Sequence, residues 1–161
     1  LTAELFKAMA GVNMVHIPYK GSGPAFNALF SGEVQVMFPN SGSAAPHIKA
    51  GRLRALAVTT LEATPIAPGL PTVAASGLPN YQSVVGYGVL APAKTPPAIV
   101  GRLNREFIAA LKSEEMAAVL TKTGGEPMGT TPEEFKRFLV DELARWKNLV
   151  REGNIELEPG S

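Results

Sequence analysis

Two histidines, His16 and His47, a single aspartate, Asp141, and the acidic pairs Glu114–Glu115, Glu133–Glu134 and Asp141–Glu142 are the residues of this 161-residue chain best placed to move a proton. His16 lies in the strand-like run MVHIP and His47 in a short helical pattern, and neither neighbours an acid or a nucleophile in a recognised motif. A general base needs a partner held within hydrogen-bond reach, and the local sequence offers none. The first two acidic pairs stand at helix starts, where carboxylates complement the positive end of the helix dipole, and the third lies on a helix surface. With no Cys there is no thiolate, disulfide framework or zinc-finger spacing. Metal ligands are too sparse for a cluster, and nothing implies a cofactor. These residue types argue for a binding protein rather than an enzyme.

Backbone chemistry is better represented. The stretch PYKGSGPA, residues 18–25, lies between two apolar runs and packs two glycines, a serine and a proline into four of its residues, 21–24. It lacks the Gly-Lys-Ser/Thr of a phosphate loop, and Phe26 stands where a dinucleotide fingerprint has its third glycine. What remains is a strand–turn–helix in which Gly21, Ser22 and Gly23 lead into a helix with Pro24 at its first position and Ser22 or Gly23 as its cap. The first turn of a helix has unpaired N–H groups and a positive dipole end, a combination that binds anions. Pro24 removes one orphan donor, and Ala25 leaves the approach open. A plain tight turn explains the same residues, and periodicity alone does not choose between the two. A second turn, FPNSGSA at 38–44, offers Asn40, Ser41 and Ser43 as side-chain donors. Ligands of open α/β sheets sit beyond the carboxyl ends of strands, so two such turns at successive strand ends point to a pocket.

The elements that would position these turns follow from apolar spacing and stops. LTAELFKAMAG reads as a helix stopped by Gly11, NMVHIPY as a strand, GPAFNALFSG as a helix stopped by Gly32, and VQVMF as a buried strand ended by Pro39. SGSAAPHIKAG is a short helix closed by Gly51, and LRALAVT another strand. The alternation over residues 1–59 predicts an α/β fold with a mainly parallel sheet. Residues 60–82, with Pro65, Pro68, Pro71 and Pro79, form an irregular excursion around one short helix, TVAASG. SVVGYGVLAP, 83–92, is a long extended segment, and the rest is helical. Thr95 caps a helix with Pro96 at its first position, Ser113 opens another that ends at Gly124–Gly125, and Thr131, Pro132 and Glu134 form a capping box. Phe135, Phe138, Leu139, Leu143, Trp146, Leu149 and Val150 then mark one face of a long helix.

The net charge is +1, from +3 over residues 1–100 and −2 over 101–161. That is too little for a dedicated nucleic-acid binder, while a mildly positive first part suits a small acidic ligand. No apolar run approaches the roughly 20 residues of a membrane-spanning helix. The first residues lack the plan of a signal peptide, and the uncapped opening helix reads as starting inside a longer protein.

VHIPYKGSGPAFNALFSGEVQVMF, PHIKAGRLRALAVTT, LPTVAASGLPNYQSVVGYGVLAPAKTPPAIVGRLN and GGEPMGTTPEEFKRFLVDELARWKNLV together resemble the periplasmic substrate-binding proteins of tripartite tricarboxylate transporters, the Bug receptors, collinearly over nearly the whole chain. The resemblance implies a type II periplasmic-binding-protein plan, in which two α/β lobes close on a small organic carboxylate for delivery to membrane transporter subunits. Residues 1–85 would be the second lobe, 86–95 a crossover or hinge strand, and 96–155 C-terminal helices that pack on the first lobe. Residues 156–161 would be a tail that reads in part as a cloning remnant. By the same resemblance, Tyr19, Lys20, Gly21, Ser22, Gly23 and Ala25 contribute to the ligand carboxylate, mostly through backbone N–H groups and ordered water. Asn40 would face the cleft, and Tyr87 would stand near the pocket wall and hinge. The implied protein is periplasmic and non-catalytic, without metal, cofactor or nucleic acid. The helices after Pro92, lacking the first lobe, would dock on another chain or fold back on this one. A sensory or effector ligand-binding module of a regulator uses the same lobes and is the alternative. An enzyme on this plan would need a nucleophile or an acid/base pair in the cleft.

Overall fold

Helices form where the sequence supplies starts and stops. The computed structural model describes residues 1–153 and 155. Among them α1 spans Thr2–Ala10, α2 Ser22–Ser31, α3 Ser41–Lys49, α4 Pro97–Leu111, α5 Glu114–Thr123 and α6 Pro132–Glu152. Gly11 and Gly32 end α1 and α2 in the left-handed conformation, as their spacing predicts. Thr131 caps α6 as expected: its hydroxyl accepts from the Glu134 N–H at 3.2 Å, and its own N–H donates to Glu134 Oε2 at 2.8 Å.

Two helix starts differ from the sequence reading. α2 begins at Ser22 with Gly21 as its cap, so Pro24 is its third residue rather than its first. α4 begins at Pro97 with Pro96 as its cap, and the Thr95 side chain makes no cap bond. The reason is the same in both cases. The N–H groups of a helical first turn have no partner within the helix, so proline is tolerated through that turn and fixes no single position.

The mainly parallel sheet is not formed among the described residues. The runs at 12–18, 34–38, 53–57 and 83–92 carry no strand ladder, and the pairing present is one parallel bridge, Val58 with Thr72. Val15 is 82% and Leu56 61% exposed, although apolar alternation placed both in strands. A strand pattern says which face seeks cover, but a ladder also needs a neighbour in register. TVAASG likewise forms a single turn rather than a helix, with the Thr72 hydroxyl accepting from the Ala75 N–H at 2.9 Å.

The chain divides into two compact units, one of residues 1–84 with 121–125, the other of 85–120 with 126 onward. The first holds the buried residues Phe26, Ala28, Ala44, Thr72, Val73, Tyr81 and Ser83. Tyr81 is fully buried, and its hydroxyl donates to the Thr2 carbonyl at 3.0 Å, as a buried phenol requires. Phe6 meets the Tyr81 ring edge-on at 6.0 Å and Phe38 at 5.8 Å, which fixes α1 against the proline-rich excursion. His47 joins α3 to α2, its ring 4.8 Å from Phe26 and 4.9 Å from Phe30, while the Arg52 guanidinium covers Phe30 at 3.8 Å. In the second unit, Asn104 Nδ2 donates to the Thr130 carbonyl at 2.9 Å, tying α4 to the turn before α6, and Phe135 stacks on Phe138.

Candidate functional site

The turn before α2 depends on a backbone conformation that glycine alone adopts readily. Gly21 has φ 104° and ψ 172°, and its N–H donates to the Tyr19 carbonyl at 2.9 Å, closing a three-residue turn. A side chain at that φ is strained. The turn delivers the chain into α2 with no side-chain cap and no acid in the first turn. The N–H groups of Ser22 and Gly23 find no acceptor among the described residues, and Pro24 has no N–H to offer. Nothing lies within 4 Å of where a Cβ would stand at Gly21 or Gly23, so the approach to these donors is clear. Ala25 is half-buried, and the buried Phe26 anchors the helix start. Bare donors and a positive dipole end together suit one small anion.

The flanking residues behave differently. Lys20 is exposed and makes no ion pair among the described residues. The half-buried Tyr19 donates its hydroxyl to Glu33 Oε1 at 3.1 Å. Loss of solvent, and then the Glu33 carboxylate, hold the phenol above its ordinary pKa.

At the second turn, Asn40 caps α3 through its carbonyl, which accepts from the Ser43 and Ala44 N–H groups at 3.1 Å each. Its own side chain makes no cap bond, and the residue is exposed. The Ser41 and Ser43 hydroxyls are not free donors, as the sequence suggested. Ser43 donates to the Asn40 carbonyl at 2.8 Å and Ser41 to the Gly124 carbonyl at 2.9 Å. A Cβ at Gly42 would overlap the Thr123 carbonyl, so glycine permits this approach. Carbonyls from the end of α5 thus meet the start of α3, negative dipole end to positive, and the chain itself fills part of this second helix start.

Among the described residues no hydrogen bond or ring contact joins the 19–25 turn to Asn40. Tyr87 belongs to the second unit and is 89% exposed. Glu33 and Gly124 were missed as partners of Tyr19 and Ser41, at separations of 14 and 83 residues that leave no local signal. Glu33 left one hint, since an acid just past a helix stop opposes the dipole. His16 is exposed and His47 is packed between rings. Among the described residues no three metal-ligating side chains cluster, and no helix is long and apolar enough to cross a membrane.

A glycine-capped helix start with bare donors, of the kind that suits an anion, is carried on a small unit of packed helices. The chain belongs to the tripartite tricarboxylate transporter family receptors, whose family model matches residues 1–155. It is 36% identical to the protein BugT of Bordetella pertussis over 158 residues, 98% of this chain and 48% of that protein. Among solved structures it is similar to R. palustris Rpa4515 with adipate, at 38% identity and a TM-score of 0.84, over 96% of this chain and 52% of that one. It is also similar to the periplasmic binding protein BugD, at 28% identity and a TM-score of 0.79, over 96% of this chain and 52% of that one. The chain therefore spans about half the length of these relatives.

Proposed function

We propose that this chain is one lobe of the periplasmic substrate-binding receptor of a tripartite tricarboxylate-type transporter, and that it captures a small organic carboxylate in a two-lobe cleft without transforming it. The observation that carries the reading is the open start of α2, where Ser22 and Gly23 present bare N–H groups behind the left-handed Gly21. The adipate held by the neighbour Rpa4515 supports a carboxylate as cargo. Neutral donors suit a receptor that must release its ligand to membrane subunits, because they bind an anion without a buried counter-charge to separate.

In this reading residues 1–85 are the second lobe, 86–95 the crossover, and 96–155 helices that pack on the first lobe. The 19–25 turn contributes mainly backbone donors, with Lys20 adding long-range attraction. Asn40 and Tyr87 reach the ligand when the cleft is complete, and the Val58–Thr72 bridge seeds the mainly parallel sheet of the whole protein. A thermal-shift screen of the two-lobe protein against adipate, malate, citrate, neutral sugars and zwitterionic amino acids tests the reading. Stabilisation confined to carboxylates supports it. Stabilisation by another class, with none from any carboxylate, overturns it.

A further inference from the structure

Tyr19 stands two residues before Gly21 at one end of α2, yet its hydroxyl meets Glu33, which lies beyond Gly32 at the other end. α2 has ten residues, about 15 Å at the usual rise per residue. The bond therefore ties together the chain segments that flank the two ends of α2. The hydroxyl is engaged by Glu33 and makes no hydrogen bond to Ser22 or Gly23. The charge of Glu33 does nothing for α2, because an acid past the stop faces the negative end of the dipole. What Glu33 does supply is an ionic acceptor for a phenol, a stronger partner than a neutral oxygen. A phenol keeps its proton at neutral pH, so the donor persists there. The main chain of Tyr19 is tied as well, since its carbonyl accepts the Gly21 N–H at 2.9 Å. One residue thus links both ends of α2, through its side chain to Glu33 and through its carbonyl to the turn.

We propose that Tyr19 and Glu33 form a brace that holds the 21–23 turn in its anion-binding shape, Tyr19 acting as a positioning residue and not as a ligand contact. This rests on the carboxylate-receptor reading. With the brace made, the Tyr19 carbonyl stays turned to Gly21, and the Ser22 and Gly23 N–H groups stay aimed outward together. Without it, residue 19 rotates freely, and the turn presents both donors for a smaller fraction of the time. Apparent affinity falls by that fraction.

Calorimetric titration of the two-lobe protein with adipate, or with whichever carboxylate the screen finds, separates the brace from the reading beneath it. Tyr19→Phe keeps the ring and the net charge, and we expect it to weaken binding about three- to tenfold, the range of one net hydrogen bond. Glu33→Gln keeps an acceptor but a neutral one, and is expected to weaken binding less than Tyr19→Phe does. Glu33→Ala is expected to weaken binding in the parent but to cause no further loss in the Tyr19→Phe background, where no brace remains to break. A merely structural pair would lower thermal stability in these variants and leave the dissociation constant unchanged. If Tyr19→Phe binds as the parent does, or if the two losses multiply, the brace is wrong while the receptor reading stands. If the parent protein binds no carboxylate, both fall.

Discussion

Gly21 and Gly23 stand two residues apart at the start of α2, yet their backbones demand different things of a side chain. Gly21 sits at φ 104° and ψ 172°, while Gly23 is ordinary helix with open space around it. Gly21→Ala is expected to destabilise the protein by about 1–3 kcal/mol, because an L residue there is strained or the turn rebuilds. Gly23→Ala is expected to be neutral or stabilising by up to about 1 kcal/mol, since alanine is the better helix former. Thermal unfolding of the two variants checks this, and equal effects would mean that the turn is not held in its left-handed form. This part of the site was legible as a glycine-rich turn before a helix. The conformation of Gly21, the true cap, was not, because either glycine or Ser22 fits the same pattern. The bond from Tyr19 to Glu33 was equally hidden, since fourteen residues separate its partners.

At the level of elements, the helices were the readable part and the sheet was not. Gly11, Gly32 and the Thr131–Glu134 box announce helix ends through interactions within four residues, so local sequence suffices. Sheet pairing depends on neighbours in space, and apolar alternation at 12–18 or 53–57 carries no register. Pro24 and Pro96 misled by one or two positions for the reason already given. The capping box also makes a pH prediction. The Thr131 backbone N–H first, then its hydroxyl and more weakly Arg137, hold the Glu134 carboxyl below its ordinary value, with slight desolvation opposing them. A carboxyl depressed in the folded state stabilises fully above its unfolded value, roughly 4.3, and that contribution is lost as pH falls through the folded value. Circular dichroism melts at pH 7 and pH 3 should therefore show a larger loss of stability on acidification for the parent than for Glu134→Gln. Thr131→Ala should cost about 1 kcal/mol at neutral pH. A parent and a Glu134→Gln variant with identical pH dependence would remove the carboxylate from the cap.

For the whole chain, burial is unevenly shared. Among the described residues, the buried ones all lie between positions 26 and 83. On α4 and α6, by contrast, Ile99 is 50%, Phe107 45%, Phe138 41% and Leu143 58% exposed. Apolar faces of this kind seek cover. We expect the 161-residue chain by itself to associate with increasing concentration in sedimentation velocity; a monomer with those faces in water over the full range would contradict this. Such faces were legible from the spacing of Phe135, Phe138, Leu139 and Leu143, whereas the joining of residues 121–125 to the first unit was not, because they are distant from it in sequence.

The central claim is that the start of α2 holds the carboxylate, and one substitution tests it most directly. Gly23→Asp places an acid in a first turn that has none, in open space and at an ordinary φ. Helix electrostatics favour that acid, so stability should hold or rise, while its charge occupies and repels the ligand's site. Titrating the two-lobe protein with adipate, we predict at least a tenfold weaker dissociation constant for Gly23→Asp with an unchanged or higher melting temperature. Parent-like affinity in a folded Gly23→Asp protein would place the carboxylate elsewhere.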